Sequence, residues 1–213
     1  MDAETRNAFY RVLHARRDMR HFAGGKVAPE VLQRILEAGH AAPSVGFMQP
    51  WRFIRISDRK LREELAELVE KERQYTAERM GERSADFLRL KVEGILECAE
   101  LIAVVMAPDD GTIFGRRTMP EEMTLASCAC AIENMWLAAR AENLGMGWVS
   151  FFDPQQMAAL LCCPPGAKPL ALLCLGPVSD FYKAPMLELS GWRKRRPLSF
   201  VLGENRYPDG NKQ

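Results

Sequence analysis

The sequence predicts a layered domain of the α/β or α+β class. Short segments typical of strands alternate with longer segments of helical spacing along most of the 213 residues. Two continuous apolar runs, at residues 101–106 and 170–175, indicate buried strands. The length suits one medium domain with a sizeable core, so we expect a single domain over residues 1–213, with an extended C-terminal tail from about residue 177.

Helices are predicted where apolar residues recur at every third or fourth position. The second of them begins at Pro29, because proline favours the first turn of a helix. The most apolar helix contains many alanines, and such small side chains favour close packing with other helices. The helices are expected at residues 5–16, 29–41, 59–80, 84–99, 121–142 and 154–161.

Two further strands and two loops are predicted from local composition. Residues 51–56 are rich in aromatic and β-branched side chains, and a glycine followed by aromatic residues indicates a strand at 147–152. Residues 43–50 contain two prolines and a glycine, which predicts a loop, and a second loop is expected at 108–119.

The charge balance and the apolar pattern limit the partners of this chain. A formal net charge of +1 argues against a nucleic-acid partner. The longest apolar run is too short to cross a bilayer, so no membrane partner is expected. The first six residues include two acids and no apolar stretch typical of a secretory signal, so we expect a cytoplasmic location.

The cysteines and histidines indicate neither a disulfide framework nor a metal site. None of the six cysteines forms a C-x-x-C pair, and the three histidines lack the spacing typical of metal ligands. Buried, reduced thiols and no bound metal are therefore expected.

An arginine-rich segment at residues 16–20 is the first candidate site. Its three guanidinium groups repel one another unless an anion lies among them, and arginine is well shaped to bind phosphate. Asp18, in the middle, either orients an arginine or acts as a catalytic carboxylate. The alternative is a solvated basic end of the first helix, where arginine also favours the helix dipole.

A second basic cluster lies near the C-terminus. In an extended segment, Arg193 and Arg195 would project on the same side, with Lys194 on the other. The alternative is a solubilising tail. If the fold brings both arginine clusters together, they form one site for a phosphate-bearing ligand.

Two other segments are candidates for ligand contacts. In the loop at 43–51, Ser44 and Gln49 offer hydrogen bonds; the alternative is a structural loop anchored by Trp51. Residues 147–150 would present an aromatic side chain and Ser150 to a planar ligand; the alternative is a core strand with a satisfied serine.

In this order, these motifs resemble the nitroreductase-like flavoprotein family over roughly residues 8–203. The resemblance implies a mixed sheet flanked by helices, and FMN bound between the subunits of an interlocked homodimer. Asp18 and Phe47 replace the serine and the asparagine that are usual in the family, and these departures resemble one branch of it. The motifs are Arg16-Arg17-Asp18-Met19-Arg20, Pro43-Ser44 with Gln49-Pro50-Trp51, Gly145-Met146-Gly147-Trp148, and Arg193-x-Arg195.

The resemblance to that branch implies an enzyme that consumes its flavin. Reduced FMN is expected as ligand and substrate and O2 as co-substrate, with cleavage to 5,6-dimethylbenzimidazole, the lower ligand of cobalamin, and erythrose 4-phosphate. A separate flavin reductase is expected to supply reduced FMN. Asp18 and Ser150 are implied to be catalytic. FMN contacts are implied for Arg16, Arg17, Asp18, Met19, Arg20, Ser44, Lys91, Ser150, Arg193 and Arg195.

Three other functions are compatible with the sequence. The first is an NAD(P)H-dependent FMN nitro- or quinone reductase of the same fold. The second is a flavin-binding or storage protein without turnover, in which Asp18 only orients an arginine. An RNA-binding module that uses both arginine clusters is the least favoured, because the net charge is near zero.

Overall fold

The structure is a computed structural model that describes residues 1–112 and 121–208. The chain forms two compact units, Met1–Phe181 and Tyr182–Gln213. The predicted loop at 108–119 lies partly outside the described residues. Within the second unit, the segment expected to be extended contains two short helical turns, Met186–Leu189 and Leu198–Phe200. The prediction of a single domain over the whole chain stays a prediction.

A four-stranded antiparallel sheet, in the order β1-β2-β4-β3, forms the centre of the first unit. This arrangement confirms an α+β domain. The mixed sheet that was expected is antiparallel in all four strands, and the described parallel pairing is a single bridge between Asp18 and Met146. The strands are β1 (Trp51–Ile56), β2 (Glu100–Met106), β3 (Gly145–Val149) and β4 (Lys168–Gly176).

Two long helices of the first unit begin at aspartate caps. The carboxylate of Asp2 accepts a hydrogen bond from Thr5 N at 2.8 Å, and Asp58 accepts one from Leu61 N at 2.9 Å. Such aspartates satisfy backbone N–H groups that have no partner inside the helix. The helices are α1 (Ala3–Ala15), α2 (Pro29–His40), α3 (Arg59–Glu78), α4 (Ser84–Leu88), α5 (Glu121–Ala141) and α6 (Pro154–Leu160).

Two predicted elements differ from the structure. The helix expected at 84–99 ends at Leu88, because the segment that follows packs as a loop against the arginine-rich segment. A Cβ at Gly94 would lie 2.6 Å from the Phe22 ring and 2.9 Å from Arg20 O. The strand expected at 147–152 is shifted to Gly145–Val149, since its first two residues already pair with β4.

Helices cover both faces of the sheet. On one face, Ile102 and Leu173 join a core cluster with Met135 of α5, and α2 packs on α5. The alternating residues Leu101 and Leu172 are also fully buried, and α6 packs against β4 while α3 packs against α6. Because both faces are covered, the central strands are continuously apolar although their pairing is antiparallel.

Residues 1–112 and 121–208 contain neither a membrane-spanning helix nor a cluster of metal-binding side chains. In these ranges no helix is both long and apolar enough to cross a membrane. The same ranges contain no group of three or more histidines, cysteines, aspartates or glutamates that could hold a metal ion.

The buried guanidinium of Arg62 on α3 gives a first prediction. It donates hydrogen bonds to the carbonyls of Ile56 at 3.0 Å, Cys98 at 2.9 Å and Ala99 at 3.3 Å. Arg62→Ala removes the donor for all three, so we expect the free energy of unfolding in urea to fall by roughly 3 kcal/mol. Arg89→Ala, at an exposed arginine paired with Asp86, is the control and should change it by less than about 0.5 kcal/mol. Equal losses in the two variants would contradict this role.

Candidate functional site

The arginine-rich segment at 16–20 pairs with the edge strand β3. Asp18 forms a parallel bridge with Met146, and Met19 N donates to Met146 O at 2.9 Å. Trp148 N donates to the Asp18 carboxylate, to Oδ1, at 3.1 Å. The segment therefore extends the sheet by one short stretch, and this pairing fixes where Asp18 stands.

Gly147 makes this close pairing possible. A Cβ at position 147 would lie 2.1 Å from Met19 O and 2.6 Å from Arg20 Nη1. Any larger residue would have to push the paired segment away from β3, because the nearest atom belongs to the backbone. The glycine of the predicted aromatic strand thus serves the approach of another chain segment.

The carboxylate of Asp18 is held on its inner side and open on its outer side. Arg20 Nη2 donates to Asp18 Oδ2 at 2.7 Å and to Trp148 O at 2.7 Å. The Arg20 side chain is 9% exposed, whereas that of Asp18 is 41% exposed. A carboxylate has more acceptor positions than these two bonds occupy, so the outer side of Asp18 remains able to accept a proton or a hydrogen bond.

Burial and charge act on the Asp18 carboxyl in opposite directions. Although the side chain is 41% exposed, the protein packed around its inner side desolvates the carboxyl, and this partial burial is the dominant cause that raises its pKa above the ordinary value. The charge of Arg20, the N–H of Trp148 and the charge of Arg16 lower the pKa, but not enough to offset burial. The sequence alone indicated only the arginines, which would hold the carboxyl ionised, and gave no signal for the burial.

The three arginines of the segment have different contacts. Arg16 Nε lies 3.3 Å from the Glu133 carboxylate, and its guanidinium lies 4.6 Å from the centroid of the Trp136 ring. Arg17 Nη1 donates to the last carbonyls of the first helix, including His14 O at 2.8 Å. Arg20 holds Asp18, as described above. That all three bind a phosphate stays a prediction.

The other predicted residues of the first unit lie in different environments. Met19 is fully buried, and Ser150 is exposed just beyond the end of β3. Ser44 Oγ accepts a hydrogen bond from Gln49 N at 3.0 Å and so closes the loop at 44–49. Lys91 forms an ion pair with Glu97 within the loop that crosses the segment at Gly94.

Arg193 and Arg195 belong to the second unit. Both are exposed there, as are Lys194 and Arg196, and the Arg196 guanidinium lies 4.0 Å from the centroid of the Phe200 ring. The convergence of the two arginine clusters on one ligand stays a prediction.

Sequence reasoning missed three residues of α5 that hold the segment in place. Glu133 pairs with Arg16, Trp136 Nε1 donates to Arg17 O at 3.1 Å, and Arg140 Nε donates to Ala15 O at 3.2 Å. These side chains lie three and four positions apart, so they share one face of the helix. The polar and aromatic residues at this spacing in an otherwise apolar helix were the available signal.

Comparison with known proteins identifies the family. The model of the nitroreductase family matches residues 13–177. The 5,6-dimethylbenzimidazole synthase of Rhodospirillum rubrum is 38% identical over 203 residues, or 94% of this chain and 96% of that protein. A protein of the same name from Rhodobacter capsulatus is 37% identical over 92% of this chain and 95% of its own length. The chain therefore belongs to the nitroreductase family, and within that family it groups with the 5,6-dimethylbenzimidazole synthases.

A solved structure supports the same fold. Oxidised iodotyrosine deiodinase bound to FMN and 3-iodo-L-tyrosine superposes with a TM-score of 0.73 at 21% identity, over 93% of this chain and 100% of that chain. At this identity the likeness concerns the fold, and it confirms the nitroreductase-like α+β fold.

The raised pKa of Asp18 predicts how its contribution to stability depends on pH. The folded state binds the proton of this carboxyl more tightly than the unfolded chain does. The contribution is therefore greatest at low pH and declines as the pH rises from the ordinary value of 3.8 through the raised one. Since asparagine does not titrate, the free energy of unfolding of the parent minus that of Asp18→Asn should fall over this range, measured in urea at a series of pH values.

A second carboxylate provides a control of opposite sign. Hydrogen bonding to Arg34, at 2.7 and 3.0 Å, holds the pKa of Glu142 below its ordinary value. The corresponding difference for Glu142→Gln should rise with pH. If the difference for Asp18→Asn also rises, the burial of the Asp18 carboxyl does not dominate its pKa.

Proposed function

We propose that this chain uses O2 to fragment reduced FMN into 5,6-dimethylbenzimidazole and erythrose 4-phosphate, and so provides the lower ligand of cobalamin. The observation that carries the proposal is the half-open carboxylate of Asp18, fixed against β3 beside Arg16 and Arg20. The names of the two synthases that match over nearly the whole chain support 5,6-dimethylbenzimidazole as the product.

The polar and charged groups at and around Asp18 fit the phosphate, the hydroxyl groups and the ring of FMN. Arg16 supplies charge for the phosphate, and the Ser150 hydroxyl and the Asp18 carboxylate supply polar contacts for hydroxyl groups and ring atoms. The iodotyrosine deiodinase of the same fold carries FMN. When bound, reduced FMN supplies the electrons and the carbon skeleton of the reaction.

Asp18 is the residue to which we assign the proton transfers. A carboxyl whose pKa is raised by burial is a stronger base than an ordinary aspartate, and it is closer to a protonation state that can change during a reaction. Its outer side is placed to accept a proton or to hold a ribityl hydroxyl. Ser150, just beyond β3, is assigned a hydrogen bond to the reacting edge of the ring.

The proposal includes a homodimer and a separate source of reduced flavin. Large apolar side chains on the surface of the first unit support association with a second copy: Phe9 is 52% exposed, and Met123 and Leu125 on α5 are 48% and 44% exposed. A separate flavin reductase supplies reduced FMN, since the reaction consumes the flavin instead of recycling it.

The decisive experiment loads the protein with chemically reduced FMN under anaerobic conditions and then admits air. Mass spectrometry of the products should find 5,6-dimethylbenzimidazole and erythrose 4-phosphate. Steady oxidation of NAD(P)H with a nitroaromatic acceptor and no benzimidazole would instead assign an ordinary nitroreductase. Tight FMN binding with recovery of intact oxidised FMN would assign a storage protein.

Two substitutions test the catalytic assignments. Asp18→Asn and Ser150→Gly should each leave the dissociation constant of oxidised FMN largely unchanged and abolish benzimidazole formation, because they remove a proton acceptor and a hydroxyl but no cation. Asp86→Asn, at an exposed aspartate of α4, is the control. Product formation at the parent rate in both site variants would refute these roles.

The two C-terminal arginines are tested through the phosphate. The double variant Arg193→Gln and Arg195→Gln should weaken binding of FMN about tenfold or more and leave binding of riboflavin, which has no phosphate, within about twofold. Fluorescence quenching of the two flavins measures both constants. Lys194→Gln, at the neighbour expected to project on the other side, is the control. Parallel losses for FMN and riboflavin would assign these arginines no role at the phosphate.

A further inference from the structure

The indole of Trp136 joins the two backbone segments that surround Asp18. Trp136 projects from α5 and is 8% exposed. Its single N–H lies 2.9 Å from Met146 O and 3.1 Å from Arg17 O. Met146 is the bridge partner of Asp18, and Arg17 directly precedes Asp18 in the chain. One donor therefore contacts both the arginine-rich segment and β3 where they pair.

The bridged carbonyl is shared with the pairing itself. Met146 O also accepts the hydrogen bond from Met19 N at 2.9 Å. The peptides before and after Asp18 are therefore tied to the same strand residue, one through Trp136 and one directly. The Asp18 side chain then has little freedom to turn away from Trp148 N, its partner at 3.1 Å.

The face of the same indole orients Arg16. The Arg16 guanidinium lies 4.6 Å from the ring centroid, and the Glu133 carboxylate, one helical turn earlier on α5, lies 3.3 Å from Arg16 Nε. The ring face and the N–H are separate features of the side chain, so a substitution can remove one and keep the other.

We propose that Trp136 is a positioning residue for the reaction: its N–H holds Arg17 O and Met146 O together and thereby aims the Asp18 carboxylate at the substrate. This role rests on the function proposed above. In this role Trp136 does not contact the reacting atoms and acts only through the position of Asp18.

A second tryptophan provides a control that distinguishes a positioning role of Trp136 from a general role in core packing. Trp51 is 4% exposed, and its Nε1 donates to His40 Nδ1 at 3.2 Å. Trp51→Phe and Trp136→Phe are therefore the same chemical change, in which a buried indole N–H is removed and its acceptors lose their donor. Only Trp136 is linked to Asp18.

The test measures how each protein divides reduced FMN between two fates when air is admitted. One fate is benzimidazole; the other is simple reoxidation, in which FMNH2 and O2 give FMN and H2O2. Because air also reoxidises free FMNH2, folded protein is kept at the same concentration for every variant and in excess over the flavin, so that the ratio reports on bound FMNH2. Trp136→Phe should lower the ratio of benzimidazole to reoxidised FMN about fivefold, the effect of one lost hydrogen bond. Its affinity for oxidised FMN should stay within about twofold, because phenylalanine keeps a ring under Arg16.

A second measurement does not need turnover. The pKa of the Asp18 carboxyl, followed by carbon NMR of aspartate-labelled protein, should rise in Trp136→Phe. Looser pairing of residues 16–20 with β3 would weaken the hydrogen bond from Trp148 N, which lowers this pKa. The charged groups that act on this carboxyl, Arg16 and Arg20, are present in both variants. Trp51→Phe should change neither the pKa nor the product ratio.

An isosteric replacement covers the case in which Trp136→Phe does not fold. Benzothienylalanine at position 136 keeps the bicyclic shape and replaces N–H with sulfur, so the same fall in product ratio is expected. An unchanged ratio and an unchanged Asp18 pKa, with stability reduced as in Trp51→Phe, would overturn the role of Trp136 and leave the proposed function standing. A parent protein that forms no benzimidazole would instead refute the proposed function, and the positioning role would fall with it.

Discussion

The pairing of residues 16–20 with the edge strand β3 is the contact on which the candidate site depends. It brings a segment near the N-terminus against Met146 and Trp148, and it requires that Gly147 carry no side chain. The same pairing sets the position of Asp18 and buries Arg20. It also brings the backbone carbonyls of Ala15 and Arg17 within hydrogen-bond distance of α5. Without it, the acidic and basic groups of this segment would be ordinary surface charges.

The arginines show how one short motif distributes its charge. Arg20 is nearly buried and its charge is used internally, since one of its nitrogens serves both Asp18 and Trp148 O. Arg17 binds carbonyls at the end of α1, and Arg16 lies between Glu133 and Trp136. Three similar residues thus have three environments, and the Arg16 side chain, at 30% exposed, is more accessible to an external anion than that of Arg20, at 9%. At Asp18, among these arginines, desolvation outweighs the charges of Arg20 and Arg16 and raises the pKa of the carboxyl.

The sequence predicted the elements well where the pattern was local. Composition alone located β1 at its observed bounds, and the apolar runs located β2 and β4 to within two residues at either end. The segment after Leu88 was misassigned because Val92, Ile95 and Cys98 are buried at a spacing of three, which imitates a helix although the chain there is a loop.

The candidate site was predictable as a set of motifs but not as a geometry. The order of the arginine segment, the proline-rich loop and the glycine-tryptophan strand indicated the family, which the comparisons confirm. The partner of Arg20 and the burial of Asp18 depend on a contact with β3, and no local pattern encodes a contact between residues so distant in sequence. The role of Trp136 also depends on distant contacts, and the sequence alone favoured a different interpretation, because a tryptophan in an apolar helix indicates a core residue.

The distance along the chain between Asp18 and Met146 also governs the order in which this molecule assembles. Closing so long a loop is slow compared with forming α1 or α2, and domains fold as synthesis delivers their parts. During translation the first helix and its arginines must wait until β3 has left the ribosome before their partner strand exists. The candidate site is therefore among the last regions of the nascent polypeptide to form, because Asp18 gains its partner strand only after most of the first unit has been synthesised.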